Sequence, residues 1–312
     1  MKDLLELILI TYNRREYLKN TLNSLFSDES PVKNLDLTIL DNASDDGTET
    51  LCKEYAAKHA NIKYVKNIKN IGGNANIVRS FETAKKEYVW VLADDDYYDW
   101  SVWNETEAAL KTKKYDVLLT VRKSIKTDKD LAKIMKELCF LPAGIYRTST
   151  ITSGVLQNAY ANIPYLFPHL AIACNVVNKK GLFYLPSKEL IPKRGADRTP
   201  CEDLYLRDKD STFIPERTKN MFWGIGYINS LQMIEDRKVR AHILNNCSNF
   251  GFLSFIFTRF RDNKRFYRNF SGNVYSVLPC LSFTQKLQFA IVLFLINVIY
   301  LYVPVVNLFK KK

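Results

Sequence analysis

Apolar and polar positions alternate along the first hundred residues with two different periods. Short β-rich runs lie at Leu4 to Ile10, Leu35 to Leu40, Ile62 to Lys66 and Tyr88 to Ala93. The intervals Arg15 to Phe26, Gly47 to His59 and Asn74 to Lys86 carry helical spacing. The resulting βαβαβαβ order predicts a mainly parallel sheet covered by helices, with all strand C-termini on one edge. Beyond about residue 125 the pattern loosens. It predicts a helix near Asp128 to Leu138, a Pro- and aromatic-rich segment Tyr160 to His169, a helix Leu170 to Lys179, an extended stretch Leu182 to Ile191 and a basic loop Lys193 to Arg198. The character changes again from about Thr218.

Ligands of open α/β sheets bind beyond the strand C-termini, so the four loops there carry the chemistry. They read Thr11-Tyr12-Asn13-Arg14, Asp41 to Thr48, Asn67 to Asn74, and Asp94-Asp95-Asp96-Tyr97, all polar. Three adjacent carboxylates at the end of the apolar run Tyr88 to Ala93 repel one another unless a cation relieves them. A hard divalent ion, Mg²⁺ or Mn²⁺, suits carboxylate oxygens and completes its shell with substrate phosphates. The alternative is a solvated turn capping a helix that starts near Trp100. Asp41 is placed to accept a hydrogen bond from a base N–H. Asp46 and Glu49 have the D-x-x-E spacing of a helix cap. Gly72 and Gly73 allow close backbone approach but do not form G-x-G-x-x-G, which argues against a dinucleotide-binding Rossmann domain.

The segments Leu7 to Arg14, Asp41 to Thr48 and Val89 to Asp96, in this order and spacing, resemble the family 2 glycosyltransferases of the GT-A fold. Asn70 to Ile77 and Tyr88 to Asp96 look most like the abequosyltransferase-like branch, which serves surface polysaccharide assembly. The resemblance covers about residues 4 to 100. It implies an α/β, GT-A type, Rossmann-like mainly parallel sheet with helices on both faces, and a nucleotide-diphosphate sugar as donor substrate. Carried over, Thr11, Tyr12 and Arg14 would border the nucleotide, Asp41 would hold the base, and Asn70, Gly72 and Asn76 would complete the donor side. Asp94 and Asp95 would contact the ribose, and Asp96, with Asp94, the metal. The family commonly has Asp where Ala93 stands, so the acidic register is shifted here. Relatives also place an acidic pair before the helix that precedes a Tyr-Ile-Pro-like strand. Pro168-His169 stands there, which makes His169 a candidate general base, against the alternative of a helix-start residue bonded locally. Glu202 and Asp203 have the expected residue types but follow that strand. Lys193, Arg194 and Arg198 are candidates to stabilise the leaving diphosphate, or a solvated loop.

Composition narrows the setting. With 312 residues and 47% hydrophobic content, one catalytic domain and an appendage are expected, divided as 1–220 (donor half about 1–100, acceptor half about 101–220) and 221–312. Six scattered cysteines show no metal or redox spacing, as in a reducing compartment, and the start carries no secretory pattern. The net charge of +12 fits nucleic acid, anionic membrane or a phosphorylated ligand. No nucleic-acid motif accompanies it, and nucleic acid is not an expected partner. Phe250 to Phe260 is aromatic, Arg259 to Arg268 is rich in basic residues, and Leu287 to Phe309 is uncharged between Lys286 and Lys310-Lys311-Lys312. This pattern predicts a C-terminal helical membrane-associating region, monotopic or re-entrant on the cytoplasmic side, with a helical lid as the alternative. The expected reaction is inverting transfer to a glycan or polyprenyl-diphosphate-linked acceptor. A noncatalytic membrane scaffold is the competing class.

Overall fold

The structure, a computed structural model, describes residues 1–122, 125–163, 166–194, 219–247, 252 and 277–295. Strands β1 (Leu5–Thr11), β2 (Asp36–Asp41), β3 (Ile62–Lys66) and β4 (Tyr88–Leu92) alternate with helices α1 (Arg15–Leu25), α2 (Thr48–Lys58) and α3 (Gly73–Glu82), as the periodicity predicts. Then come β5 (Asp96–Tyr97), α4 (Trp103–Lys111), β6 (Val117–Leu119), α5 (Leu131–Glu137), β7 (Gly144–Arg147), α6 (Ser153–Ala161), α7 (Leu170–Asn178), β8 (Phe183–Tyr184) and β9 (Lys193–Arg194). Helices Lys219–Leu231 and Arg237–Asn245 and a helix over 283–295 complete the described chain.

The main sheet has the order β3-β2-β1-β4-β7-β6-β8. The first four strands are parallel, whereas β7 enters antiparallel between β4 and β6, and β8 runs parallel to β6. The sheet is therefore mainly parallel, as expected, with β7 as its one antiparallel strand, in the half where sequence periodicity is weak. All five residues of β4 are buried. Its continuous apolar run reflects a central strand flanked by β1 and β7 and covered on both faces. The expected stretch Leu182 to Ile191 holds only the two residues of β8. Beyond them Ser187 donates its N–H to Glu105 at 2.7 Å and the chain turns away.

The chain builds β1, β2 and β3 outward in one direction, then returns to lay β4 on the other side of β1. That reversal opens a crevice beyond the C-terminal ends of β1 and β4. Register fixes what meets there. Thr11 pairs with Asp41, Asp41 with Lys66, and Leu9 with Leu92. Continuing the last pairing by two residues brings Asp94 opposite Thr11.

The described C-terminal helices share the hydrophobic core of the sheet domain. Tyr227, Ile228, Ile243, Phe289 and Val292 belong to the same buried cluster as Leu7, Trp90 and Leu170. Among the described residues no helix is long and apolar enough to cross a membrane. The segments Phe250 to Phe260 and Arg259 to Arg268 lie, but for Phe252, outside the described residues, as does the run from residue 296 onward.

Candidate functional site

The first two loops are tied together before any ligand is considered. The Asn13 N–H donates to Ser44 Oγ and the Asp45 N–H to Asn13 Oδ1, both at 2.9 Å. Asn13 and Ala43 adopt left-handed backbone, φ 50° and 68°. Ala at positive φ is uncommon and is held only by surrounding bonds. Asp46 accepts from the Arg15 N–H at 2.9 Å and from the Thr48 N–H and hydroxyl at 3.1 and 2.6 Å. One carboxylate thus serves the starts of both α1 and α2, the capping role expected of it. The Glu49 half of the capping box is not made, because Glu49 pairs with Lys53 and Lys66 instead.

The acidic turn meets these loops across the crevice. Thr11 Oγ1 donates to Asp94 Oδ2 at 2.8 Å. Arg14 spans the turn, with Nη1 3.1 Å from Asp94 Oδ1 and Nη2 2.7 Å from Asp95 Oδ2, while its guanidinium lies 4.4 Å over the Tyr17 ring. Arg14 stands at the N-terminal boundary of α1 and makes no side-chain cap there. A guanidinium has no acceptor to offer the free N–H groups there; Asp46 supplies that acceptor, and the Arg14 side chain reaches the turn. Burial pushes the Asp94 carboxyl up to about 7, against the attraction of Arg14. Asp96 is 4% exposed and sits on β5, antiparallel to β9, opposite Arg194. Behind it the Tyr98 and Trp100 rings stack at 4.9 Å. The Tyr98 hydroxyl and Trp100 Nε1 are enclosed without a hydrogen-bond partner among the described residues.

Several donor-side expectations take a different form. Asp41 is fully buried and accepts from the Ser44 N–H and hydroxyl at 2.9 and 2.5 Å and from the Tyr64 hydroxyl at 2.6 Å. Both its oxygens already accept protein hydrogen bonds that hold the second loop and β3 together, so any ligand contact at Asp41 is added to a structural role. Asn76 is likewise buried, bonded to Asn67 at 3.0 Å and to the Leu40 carbonyl at 3.3 Å. Its role is to tie α3 to β2. Asn70 accepts from Asn42 and from the Gly72 N–H, each at 2.7 Å. Gly72 has φ 86°, a conformation that disfavours any side chain. Tyr12 is half-buried in the first loop. Tyr64, Ser44, Asn42 and Asn67 were not singled out from the sequence. Alternation on β3 marked Tyr64 as a strand residue, and only its pairing with β2 makes it a partner of Asp41.

The turn fits a divalent ion only in a limited way. No group of three His, Cys, Asp or Glu side chains among the described residues is arranged to hold a metal, and Arg14 already pairs with Asp94 and Asp95. The donor set therefore suits an ion held by one or two carboxylates, Asp96 first, with other positions left to phosphate oxygens.

His169 is 2% exposed. Its Nε2 lies 2.8 Å from the Leu138 carbonyl oxygen, and Nδ1 is enclosed with no hydrogen-bond partner among the described residues. Burial lowers its pKa to about 4. An enclosed imidazole of such low basicity is poorly placed to serve as the expected general base, and its partner Leu138, at the end of α5, makes the bond a tertiary one and not the local helix-start bond of the alternative. Glu202, Asp203 and Arg198 lie outside the described residues, as do the side chains of Lys193 and Arg194, whose backbone forms β9.

With this geometry, comparison with known proteins becomes informative. A curated relative, abequosyltransferase RfbV of Salmonella typhimurium, is 28% identical over 219 residues, 59% of this chain and 65% of that protein. An uncharacterized glycosyltransferase, the MG025 homolog of Mycoplasma pneumoniae, is 31% identical over 98 residues, 31% of this chain and 33% of that protein. The chain thus spans less than two thirds of these relatives. Among solved structures, a mannosyltransferase from Pyrobaculum calidifontis in complex with GDP-Man and Mn²⁺ is 12% identical, with a TM-score of 0.48, covering 99% of this chain and 88% of that one. The model of the family described as glycosyl transferase family 2 matches residues 6–181, more than half of the chain and the whole of the crevice just described: the chain belongs to glycosyl transferase family 2.

Proposed function

We propose that the chain transfers a sugar from a nucleotide-diphosphate donor to a glycan or lipid-linked acceptor in cell-surface polysaccharide synthesis, with inversion at the anomeric carbon. The observation that carries this reading is the joint placement of Thr11, Arg14, Asp94 and Asp95 at the reversal between β1 and β4. Family membership supports the chemistry, and the resemblance to a relative named as an abequosyltransferase supports the polysaccharide setting.

On this reading the donor nucleotide lies over Asp41, Ser44 and Tyr64, and Asn70 and Gly72 shape its edge. Thr11 and Tyr12 border it. Mg²⁺ or Mn²⁺, held by Asp96 with Asp94, would supply charge neutralisation of the leaving diphosphate. Arg14, paired with Asp94 and Asp95, would add the protein's own positive charge, and Lys193, Arg194 or Arg198 are further candidates to stabilise the leaving diphosphate. The acceptor hydroxyl oxygen forms the new bond to the anomeric carbon as the carbon–phosphate-oxygen bond breaks, and its proton passes to a carboxylate. Asp203 or Glu202 is the better base candidate, given the enclosure of His169.

A noncatalytic scaffold is the second reading, favoured by one observation: Arg14 pairs with two of the three carboxylates. A panel of uridine, guanosine, cytidine and thymidine diphosphate sugars with Mn²⁺ or Mg²⁺ decides between them. A true donor at a hundred times its Kd stabilises the fold by about 2.7 kcal/mol, and Asp96→Ala should abolish both that shift and donor hydrolysis. Absence of stabilisation and of hydrolysis across the panel rejects the enzyme reading.

A further inference from the structure

The helix over 283–295 is apolar on two sides, and among the described residues only one of them has a protein partner. On the inner side Gln285, Phe289 and Val292 are at most 1% exposed. Gln285 Nε2 ties this side to the helix Arg237–Asn245, donating to Asn245 Oδ1 at 2.9 Å and to the Ala241 carbonyl at 3.2 Å. Ser282 and Gln285 close a reciprocal capping box at the start, the Ser282 N–H donating to Gln285 Oε1 at 2.9 Å and the Gln285 N–H to Ser282 Oγ at 3.3 Å. The cap and the buried side fix the rotation of the helix. The outer side then shows Phe283, Leu287, Ile291 and Phe294, at 85, 55, 44 and 67% exposure, with Leu295 beside them at 42%. Spacings of four, four and three residues place these four on one stripe.

We infer that this stripe seats on an anionic lipid surface. Charge argues for lipid. Lys286 is the one charged residue of 283–295 and is exposed beside Leu287. The adjoining helix Arg237–Asn245 adds exposed Arg237, Lys238 and His242 and contains no acidic residue, although Glu235 and Asp236 precede it. Apolar side chains flanked by basic ones are the composition of an interfacial helix. A second copy of the chain is a poorer occupant, because a two-fold contact along this stripe brings Lys286 close to its own equivalent. Thirteen residues rise about 20 Å, short of the roughly 30 Å hydrocarbon layer, so the helix lies in the surface plane. The sequence beyond it, 296–309, carries no charge and continues the apolar composition. The stripe deepens the lipid-linked acceptor reading and rests on it for purpose, though the surface itself is independent of sugar transfer.

Flotation of the full chain with vesicles of phosphatidylcholine containing ~30 mol % phosphatidylglycerol, without any nucleotide sugar, tests the assignment. Wild type should float, Phe283→Ser/Phe294→Ser should lose at least about tenfold in partition coefficient, and Lys286→Glu should lose the preference over pure phosphatidylcholine. Both phenylalanines are largely exposed, so unfolding transitions should match wild type. If the double variant does not fold, Phe283→Trp with brominated lipid replaces it, and emission that stays unquenched overturns the proposal. Wild-type partition in the folded double variant also overturns it, as does a vesicle-indifferent chain whose self-association disappears with the same substitutions. A chain that floats but transfers no sugar rejects the enzymatic reading and leaves the lipid surface standing.

Discussion

Among the described residues Arg14 is the cation paired with the acidic turn, gripping Asp94 and Asp95 with separate nitrogens. A metal that enters this turn competes with a charge already present, and a two-pronged guanidinium is not replaced by an ammonium. Arg14→Met should therefore bind Mn²⁺ without nucleotide at least about tenfold more tightly than wild type, about 1.4 kcal/mol, as read by paramagnetic resonance of free Mn²⁺. Unchanged affinity would show that Arg14 and the ion do not compete. His169 predicts a pH dependence of stability. Its folded pKa of about 4 lies below the ordinary 6.5, so between these values the unfolded chain binds more protons and stability rises with pH. Acidification from 6.5 to 4 should remove roughly 3 kcal/mol through this residue, with no further loss from it below 4. Urea titrations of His169→Gln should lack that slope. At this scale the sequence disclosed identities better than duties. The meeting of Thr11, Arg14 and the aspartates was legible because strand ends announce themselves. The protein partners of Asp41 and Asn76, Tyr64 and Asn67, were not, because β3 and the loop after it contribute them.

At the scale of elements, one helix depends on a single missing side chain. A Cβ on Gly226 would stand 2.8 Å from both the backbone nitrogen and the carbonyl oxygen of Leu166. The helix Lys219–Leu231 therefore approaches the segment leading into α7 at backbone contact, reinforced by Asn178 Nδ2 donating to the Met233 carbonyl at 2.8 Å. Gly226→Ala should cost about 1–3 kcal/mol through overpacking, seen as a lower thermal midpoint that Gly154→Ala, with nothing near its Cβ, does not share. The first four strands and three helices were readable because each buries a long periodic face. The two residues of β8 fall inside the expected extended stretch, but the antiparallel β7 and the β5–β9 ribbon were not legible. They are too short to carry a period, and their pairing is chosen by the sheet edge that β4 offers.

Across the whole molecule, the crevice beyond β1 and β4 and the exposed apolar stripe of the helix over 283–295 are built on one continuous core, so the described C-terminal helices are part of the body that carries the candidate site. The excess of basic residues, ambiguous in the sequence, is represented on this helix by Lys286, exposed one turn from Phe283. The pairing of β5 with β9 reaches furthest. Asp96 and Arg194 are register partners, and from Arg194 the chain sets out toward Glu202 and Asp203. The backbone that presents Asp96 is thus held by a distant part of the chain, from outside the β1–β4 crevice. A change that loosens β9 is therefore expected to be felt at the acidic turn without touching any of its carboxylates.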